Sequence, residues 1–319
     1  MSEKIFSRIG FGKKIEVDKT QRKRILITGA NSYIGTSFEK YAKEHYNKNF
    51  EIDTIDMIDK SWKEYDFSAY DTVFHVAGIA HADVGKVSEE TKQMYYKVNT
   101  DLTIETAKKA KESGVKQFVY MSSIIVYGES APFGKEKVIT KNTEPNPANF
   151  YGDSKWKADI GVRKLADEKF NVLVLRPPMI YGKGSKGNYP TLAKLAKKFP
   201  IFPSIKNERS MLYIENLCEF LCQVILVGEG GIFFPQNAEY TNTCTMAEDI
   251  RNATGKKIMK LRFLNLFIKL GTLIPGKIRG IINKAFGNLT IAQDISDYEG
   301  LDYRKVSLKE SIKRIEGKD

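Results

Sequence analysis

Short apolar runs alternate with helix-patterned segments along the first 180 residues of the chain. Five runs have the length and composition of strands: 24–28, 50–56, 72–76, 117–121 and 172–175. Three segments have the pattern of helices: 33–46, 88–113 and 151–169. Uniformly apolar strands joined by helices are typical of a parallel sheet covered on both faces. The pattern therefore predicts an α/β fold with a doubly wound parallel sheet of the Rossmann type.

The regular alternation ends after residue 178, where the loops become rich in Gly, Pro, Asn and Lys. We expect an N-terminal extension over 1–22, a dinucleotide-binding domain over 23–180, and a smaller C-terminal substrate-binding lobe over 181–319, of which 211–234 returns to the sheet. Capping-box spacing at Thr245–Glu248 and at Ser307–Glu310 predicts two helix starts in this lobe.

Composition restricts the classes of function. Of the 319 residues, 42% are hydrophobic and 28% are charged, which allows a large core and excludes general disorder. The three cysteines and three histidines are too few for a disulfide framework or a histidine-rich metal centre, so we expect no metal. The first 24 residues have no apolar signal-peptide core, and the apolar stretch 263–275 is short and interrupted by Lys269. We expect a soluble, cytoplasmic protein.

The turn after the first strand has the features of a phosphate-binding loop. Thr28-Gly29-Ala30-Asn31-Ser32-Tyr33-Ile34-Gly35 joins that strand to the first helix. Gly29 permits a tight turn, Gly35 permits close packing, and the helix N-terminus presents free N–H groups to a pyrophosphate. About 20 residues later Asp56 ends the second strand, where a carboxylate accepts hydrogen bonds from a ribose and repels a 2′-phosphate. The sequence therefore predicts NAD rather than NADP.

A proton-transfer set follows the fourth strand. Tyr151 and Lys155 are four residues apart on a predicted helix, so their side chains share one face. A neighbouring ammonium lowers the pKa of a phenol, which lets the tyrosine exchange a proton with a substrate hydroxyl. Of the sixteen tyrosines, only Tyr151 has a lysine four residues later. Ser123, just after the fourth strand, adds a hydroxyl at the carboxyl edge of the sheet.

From about residue 24 to the C-terminus, the chain resembles an extended short-chain dehydrogenase/reductase of the nucleotide-sugar epimerase/dehydratase group, which includes UDP-glucose 4-epimerase. The resemblance rests on Thr28–Gly35, Asp66-Phe67, His75–Gly78, Asn99, Ser122–Gly128, Tyr151–Lys155, Arg176-Pro177 and Tyr181-Gly182. It implies that Tyr151 is the catalytic acid/base, that Lys155 binds the nicotinamide ribose and lowers the tyrosine pKa, and that Ser123 hydrogen-bonds the reacting sugar oxygen.

The resemblance also implies a set of residues at the cofactor. Asp66 and Phe67 correspond to the pair at the adenine, and Asn99 to the residue that steadies the central helix. The complete implied cofactor set is Gly29, Asn31, Ser32, Tyr33, Ile34, Gly35, Asp56, Asp66, Phe67, Ala77, Gly78, Asn99, Tyr151 and Lys155.

Two positions depart from the family pattern. Ser32 replaces the middle glycine of the loop, where its side chain either crowds the pyrophosphate or donates a hydrogen bond to it. Ile124 and Ile125 replace the acidic pair that sugar dehydratases carry after the catalytic hydroxyl. Elimination of water needs an acid and a base at that place, so we do not expect a 4,6-dehydratase.

Two C-terminal segments suggest the substrate. Tyr181–Asn188 and Asn207–Ser210 are similar to segments of bacterial 4-ketoreductases that act on UDP-N-acetyl-6-deoxyhexosamines in surface-polysaccharide pathways. Arg209 matches the arginine that the wider group places on the sugar-nucleotide diphosphate, where a planar guanidinium suits phosphate oxygens. We place Asn188 at the same diphosphate. The structural alternatives are a surface charge for Arg209 and a turn residue for Asn188.

These features lead to one main hypothesis and two alternatives. The main hypothesis is NAD-dependent reduction at C4 of a 4-keto-6-deoxy UDP-N-acetylhexosamine. A UDP-sugar 4-epimerase that retains NAD uses the same residues, and a non-catalytic regulator that senses the dinucleotide is the alternative from another class. We expect the chain to bind a UDP-sugar substrate and not to bind nucleic acid. Whether the chain forms a homodimer stays open.

A basic segment lies between Asp249 and Asp294, where there is no acidic residue. Its nine cations are Arg251, Lys256, Lys257, Lys260, Arg262, Lys269, Lys277, Arg279 and Lys284, in a chain of net charge +12. Three interpretations stay open: a solvated face of the lobe, a lining for the substrate diphosphate, or a peripheral membrane contact through 250–293 on anionic lipid. Nucleic acid is disfavoured because aromatic residues do not alternate with the cations.

Overall fold

The computed structural model describes residue 20 and residues 22–80 and 87–317, so the predicted extension over 1–22 lies almost entirely outside the described residues. The strands are β1 Lys23–Thr28, β2 Phe50–Ile55, β3 Thr72–His75, β4 Gln117–Met121, β5 Val138–Ile139, β6 Asn171–Leu175, β7 Met179–Tyr181, β8 Ile201–Pro203, β9 Met211–Tyr213, β10 Gly231–Phe233, β11 Met259–Leu261 and β12 Thr290–Ile291. The helices are α1 Tyr33–His45, α2 Glu89–Tyr95, α3 Leu102–Glu112, α4 Phe150–Arg163, α5 Asn188–Lys198, α6 Ile214–Val227, α7 Thr243–Ala253, α8 Leu264–Gly271, α9 Lys277–Phe286 and α10 Leu308–Glu316.

Six parallel strands form the central sheet in the order β10-β6-β4-β3-β1-β2, which confirms the predicted fold class. Successive side chains of β1 enter opposite cores because strand side chains alternate. Ile25 and Ile27 pack on the side covered by α1 and α6. Leu26 packs on the side covered by α3 and α4, where Ala107 and Ala158 allow close approach. Helices on both faces explain why the strands are apolar throughout.

The chain returns to the sheet through α6 and β10. Helix α6 is buried along nearly its whole length, and β10 pairs with β6 in parallel register, Ile232 opposite Val174. The other strand pairs, β7 with β9, β8 with β11 and β5 with β12, are short and belong to separate two-stranded sheets. The division of the chain into a domain over 23–180 and a lobe over 181–319 stays a prediction.

The predicted central helix over 88–113 is interrupted. Helix α2 is followed by a π-helical stretch, Tyr96–Asp101, before α3 begins. Short π-helical segments inside α-helices are frequent at functional sites because the wider turn re-orients side chains. Here the stretch contains the buried Asn99.

The two predicted helix starts have different outcomes. Ser307 caps α10, with its hydroxyl accepting a hydrogen bond from the Glu310 N–H. The second predicted helix, α7, begins at Thr243, two residues before Thr245, because Asn242 is the cap and accepts hydrogen bonds from the Cys244 and Thr245 N–H groups. The amide oxygen of an asparagine caps a helix as well as a hydroxyl does, and Asn242 lies three residues before Thr245 in the sequence.

Candidate active site

The phosphate-binding loop is built from backbone that requires glycine. Gly29 has φ 119°, and a Cβ placed on it would lie 2.6 Å from the Ala77 nitrogen. Asn31 is also left-handed, with φ 60°, a conformation that asparagine tolerates. Ser32 caps α1, its hydroxyl accepting a hydrogen bond from the Gly35 N–H at 3.2 Å. The side chain that replaces the family glycine is therefore engaged with its own helix, and Tyr33 and Ile34 begin that helix behind it.

A buried histidine, His75, contacts the strand end that leads into the loop. His75 Nδ1 lies 2.8 Å from Thr28 Oγ1, and its Nε2 lies 3.0 Å from Thr103 Oγ1. The ring has no solvent exposure, and burial, with the Lys155 charge as a second cause, lowers its pKa to about 3. Neutral His75 thus joins the ends of β1 and β3 to α3. Sequence reasoning named this position only as part of a motif.

Asn99 and Gly78 lie where the segment after β3 meets α4, the helix of Tyr151 and Lys155. Asn99 Oδ1 accepts a hydrogen bond from the Ile79 N–H at 2.8 Å, and its Nδ2 donates to Ser154 Oγ at 3.2 Å. A Cβ placed on Gly78 would lie 3.1 Å from Asn99 Oδ1 and 3.2 Å from Lys155 Nζ. The segment after β3 that carries Gly78 therefore passes directly beside α4.

Lys155 and Tyr151 have pKa values set mainly by burial. Lys155 Nζ donates to the Met121 carbonyl at 3.0 Å, and desolvation lowers its pKa to about 8. Desolvation and the neighbouring Tyr95 raise the pKa of Tyr151 to about 12. The pKa of Tyr151 is thus raised, opposite to the lowering expected from Lys155, because a buried phenolate loses its hydration.

Ser123 lies beside the start of the tyrosine helix. It caps the 3₁₀ turn Ile124–Tyr127, with its Oγ accepting from the Ile125 N–H at 3.2 Å. A Cβ placed on Gly152 would lie 2.9 Å from the Ile125 carbonyl oxygen, so this turn and the first turn of α4 are in close contact. The structure therefore brings the segments of Ser123, Tyr151 and Lys155 together at the carboxyl end of β4.

A buried ion-pair network behind these residues was missed by sequence reasoning. The Asp159 carboxylate is fully buried and accepts hydrogen bonds from Arg176, Arg163 and Ser122. Arg176 also donates to Tyr127 Oη at 2.6 Å. Asp159 lies four residues after Lys155 on α4, and that spacing on a helix with a buried face was the available signal.

The residues expected at the adenosine have different environments. Asp56 is exposed beyond the end of β2, and its carboxylate accepts the Ile58 N–H at 2.8 Å. Asp66 is exposed and accepts the Ser68 N–H at 2.8 Å, a bond that lowers the pKa of Asp66. Phe67 is completely buried in the core, so its ring does not face solvent as a cofactor contact would.

The two predicted diphosphate residues lie in the C-terminal half. Asn188 is the first residue of α5 and is half-buried. Arg209 Nη1 donates to the Lys284 and Gly287 carbonyls, both at 3.0 Å, at the end of α9. Burial lowers the pKa of Arg209. A Cβ on Gly287 would lie 2.4 Å from the Ala131 carbonyl, so the end of α9 adjoins the loop that follows the Ser123 turn.

Comparison with known proteins places the chain in a family. The model of the NAD dependent epimerase/dehydratase family matches residues 25–233. The chain belongs to this family. A UDP-glucose 4-epimerase of Vibrio cholerae is 30% identical over 305 residues, covering 88% of this chain and 89% of that protein. The N-acetyl-alpha-D-glucosaminyl-diphospho-ditrans,octacis-undecaprenol 4-epimerase of Escherichia coli O157:H7 is 30% identical over 213 residues, covering 62% of this chain and 61% of that protein.

A solved structure shares the fold. The UDP-glucuronic acid 4-epimerase of Bacillus cereus, in complex with NAD, has a TM-score of 0.68 at 18% identity, covering 92% of this chain and 95% of that one. This epimerase/dehydratase-family chain is therefore an NAD-dependent enzyme with a Rossmann-type fold. The family assignment and the intact Ser123, Tyr151 and Lys155 leave the non-catalytic regulator without support.

The loop fits the NAD that the family uses. Gly29 lets the loop pass directly against the Ala77 backbone, and Gly78 lets the segment after β3 lie against Lys155. The N-terminus of α1 follows this loop, and its free N–H groups suit a pyrophosphate. In the described ranges 22–80 and 87–317, no group of three or more His, Cys, Asp or Glu side chains could hold a metal ion. Over those same residues, no helix is long and apolar enough to cross a membrane.

Proposed function

We propose that this enzyme catalyses oxidation and reduction at C4 of a diphosphate-linked N-acetylhexosamine. The observation that carries the proposal is the meeting of the Ser123 turn, Tyr151 and Lys155 beside Gly78, at the edge of the sheet that bears the dinucleotide loop. Bound NAD supplies the hydride acceptor and donor, and its oxidised ring carries a positive charge.

Tyr151 is the proposed proton carrier for the C4 oxygen. Its phenol must lose a proton to act as a base, and in the free protein its pKa of about 12 opposes this. Positive charge beside the phenol would lower that pKa, so we expect Tyr151 to take the proton of the C4 hydroxyl only when Lys155 and the oxidised cofactor both adjoin it. In the reducing direction the neutral phenol would donate that proton to the C4 oxygen. This arrangement restricts the base to the complex in which hydride can also move.

Ser123 is the proposed partner of the same oxygen. Its Oγ already accepts the Ile125 N–H, which leaves the hydroxyl hydrogen as the donor to a substrate oxygen. Ile124 is buried and Ile125 half-buried at the positions after it, so no carboxyl group stands there to eliminate water. The proposal is therefore exchange of hydride and proton at C4, without dehydration.

A 4-epimerase and a 4-ketoreductase differ in the net change of the cofactor. The epimerase returns the hydride to the sugar and keeps NAD, whereas the reductase consumes NADH in each turnover. The relatives at 30% identity are 4-epimerases, which supports epimerisation with retained NAD. The similarity of Tyr181–Asn188 to 4-ketoreductases supports reduction of a 4-keto-6-deoxy sugar in surface-polysaccharide synthesis. We favour the epimerase, because the similarity to those relatives extends over most of the chain.

The test is a substrate panel with the purified enzyme. The panel contains UDP-N-acetylglucosamine, UDP-N-acetylgalactosamine, their 4-keto-6-deoxy derivatives with NADH, and N-acetylglucosaminyl-diphospho-undecaprenol. An epimerase releases NAD only on denaturation and interconverts the first pair without net change in reduced nicotinamide. A reductase consumes NADH with the keto sugars. Failure of every sugar to react, by chromatography and by absorbance, would overturn the proposal.

A further inference from the structure

Helices α8 and α9 form a hairpin whose apolar side chains face outward. Helix α8 contains no buried residue, and in α9 only Ile282 and Phe286 are buried. Among the described residues, sixteen large apolar side chains are exposed, and the nine between 259 and 281 are Met259, Phe263, Leu266, Phe267, Leu270, Leu273, Ile274, Ile278 and Ile281. A patch this concentrated marks a binding surface rather than scattered exposure.

The two helices of the hairpin pack against each other and are hydrogen-bonded to the rest of the protein. A Cβ on Gly271 would lie 2.6 Å from Ile282 Cδ1, so the two helices pack closely at that point. Asn265 exchanges two hydrogen bonds with the Ser204 backbone, at 2.8 and 2.9 Å. The Asn283 side chain accepts the Phe133 N–H at 2.9 Å. The outward apolar face is therefore held in place by contacts made at its base.

The charge around the hairpin is of one sign. Of the nine cations in the acid-free segment, Lys260 pairs with Glu248, and Arg251 is buried against the carbonyls of Ala196 and Lys197. The other seven are exposed and have no carboxylate partner in the part of the chain that the structure describes: Lys256, Lys257, Arg262, Lys269, Lys277, Arg279 and Lys284. Exposed apolar side chains and exposed, unpaired cations in one segment match an anionic lipid surface.

We propose that the α8–α9 hairpin docks this enzyme on an anionic lipid bilayer. Helix α8 has eight residues and α9 has ten, too short to cross a bilayer, so the hairpin lies at the interface with its apolar face among the acyl chains. A second copy of the same surface would bring like charges together, which disfavours self-association through it. The inference does not rest on the proposed reaction.

Docking would place the candidate diphosphate site at the membrane surface. The Arg209 guanidinium is bonded to the carbonyls of Lys284 and Gly287, at the end of α9 that leads into the protein. A sugar diphosphate held by Arg209 would thus lie beside the base of the membrane-facing hairpin. Soluble nucleotide sugars and lipid-linked diphosphate sugars could both reach such a site, and docking serves either one.

Vesicle co-sedimentation of the purified full chain tests the proposal without any substrate. We expect the protein to pellet with vesicles that mix phosphatidylglycerol and phosphatidylcholine, and about tenfold less with phosphatidylcholine alone. High salt should weaken the anionic binding, because exposed charges are screened. Protein that stays in the supernatant with anionic vesicles at low salt would overturn the proposal.

Two sets of variants assign the binding to the hairpin. Phe263→Ser/Phe267→Ser/Leu270→Ser removes apolar insertion, and Lys269→Gln/Lys277→Gln/Arg279→Gln removes charge; each should reduce vesicle binding about tenfold or more. The matched controls Ile58→Ser/Met94→Ser and Lys48→Gln/Lys108→Gln/Lys141→Gln alter exposed residues elsewhere and should bind as the wild type does. Equal loss in controls and hairpin variants would contradict the assignment.

Two further readouts distinguish membrane docking from misfolding of the variants and from self-association of the enzyme. Thermal unfolding should show that the variants fold, and calorimetry should show that they bind NAD as tightly as the wild type does. Light scattering should give the same oligomeric state for the wild type and the hairpin variants. A wild-type dimer that the apolar variant converts to a monomer, without vesicle binding by either, would assign the hairpin to self-association and overturn membrane docking.

Discussion

Arg176 and Asp159 form a two-point ion pair inside the protein, with Nε 2.9 Å from Oδ2 and Nη2 2.9 Å from Oδ1. Arg176 follows β6, Asp159 lies on α4, and Ser122 at the end of β4 donates to the same carboxylate at 3.1 Å. The pair therefore fixes α4, which carries Tyr151 and Lys155, against the strand end that precedes Ser123.

Removing Arg176 should destabilise the whole protein. Arg176→Met leaves the buried Asp159 carboxylate without its main partner, and we expect a loss of about 3–5 kcal/mol in the free energy of unfolding. Denaturant titration followed by circular dichroism measures it. The control is Arg163→Gln, whose side chain is partly exposed and should cost clearly less. Equal losses in the two variants would show that the buried Arg176–Asp159 pair contributes no more to the free energy of unfolding than the partly exposed Arg163 does.

Replacing the proposed proton carrier should abolish turnover and spare cofactor binding. Tyr151→Phe keeps the ring and deletes the hydroxyl, so we expect kcat to fall by about 10² or more while NAD binding, measured by calorimetry, changes little. Tyr95→Phe is the control, since the Tyr95 ring contacts Tyr151 at a centroid distance of 6.0 Å and the substitution removes a neighbouring hydroxyl while keeping the proposed proton carrier. Substantial turnover by Tyr151→Phe would contradict the mechanism.

The two adjacent serines should affect different properties. Ser123→Ala removes one hydrogen bond to the reacting oxygen, so turnover should fall by less than in Tyr151→Phe, with stability little changed. Ser122→Ala removes a donor to the buried Asp159, so it should lower stability by about 1–3 kcal/mol with a smaller effect on turnover. Kinetics and denaturant unfolding of both variants make the comparison, and an inverted pattern would reverse their assigned roles.

The preference for NAD should depend on Asp56. A carboxylate at the end of β2 repels the 2′-phosphate of NADP, so NAD should bind more tightly to the wild type, and Asp56→Ser should shift the affinity ratio toward NADP by about tenfold, equivalent to about 1.4 kcal/mol. Calorimetry with both cofactors gives the ratio. Asp59→Ser, three residues away and exposed, serves as the control. Tighter NADP binding by the wild type would refute the role of Asp56.

His75 should make the protein sensitive to acid. Its folded pKa of about 3 lies below the unfolded value of 6.5, so between these values the unfolded chain binds more protons and stability falls as pH falls. From pH 7 to pH 5 the contribution lost is about 2 kcal/mol. His75→Gln should lack this part of the slope, as urea unfolding at the two pH values would show. Parallel slopes in the two proteins would mean that His75 does not titrate on unfolding.

The order of strands and helices in the first half was predictable because each element carries its own pattern. Predicted and observed strands agree within one residue at β1, β2, β3 and β4. The loop glycine was predictable for the same reason, since a left-handed turn such as that of Gly29 has a local cause. The C-terminal lobe was not, because strands of two or three residues are too short to show a period.

Electrostatic properties needed the tertiary structure. The spacing of Tyr151 and Lys155 indicates a shared helix face, yet the pKa directions of both follow from how deeply α4 is buried. Asp159 has a buried partner 17 residues away in Arg176, and no local rule pairs them. Desolvation depends on every element that covers a side chain, so it cannot be read from sequence neighbours.

The sequence alone determined the fold class, the dinucleotide loop and the spacing that places Tyr151 and Lys155 on one helix face, because each follows from a pattern local to a strand, turn or helix. The tertiary structure decided that the Ser123 turn lies against the helix of Tyr151. The sequence also located the acid-free basic segment over 250–293. Only the tertiary structure decided that the apolar residues of this segment face outward, because burial depends on what packs against α8 and α9. In the described fold Asn265 hydrogen-bonds α8 to the Ser204 backbone, only Ile282 and Phe286 of α9 are buried, and no residue of α8 is buried.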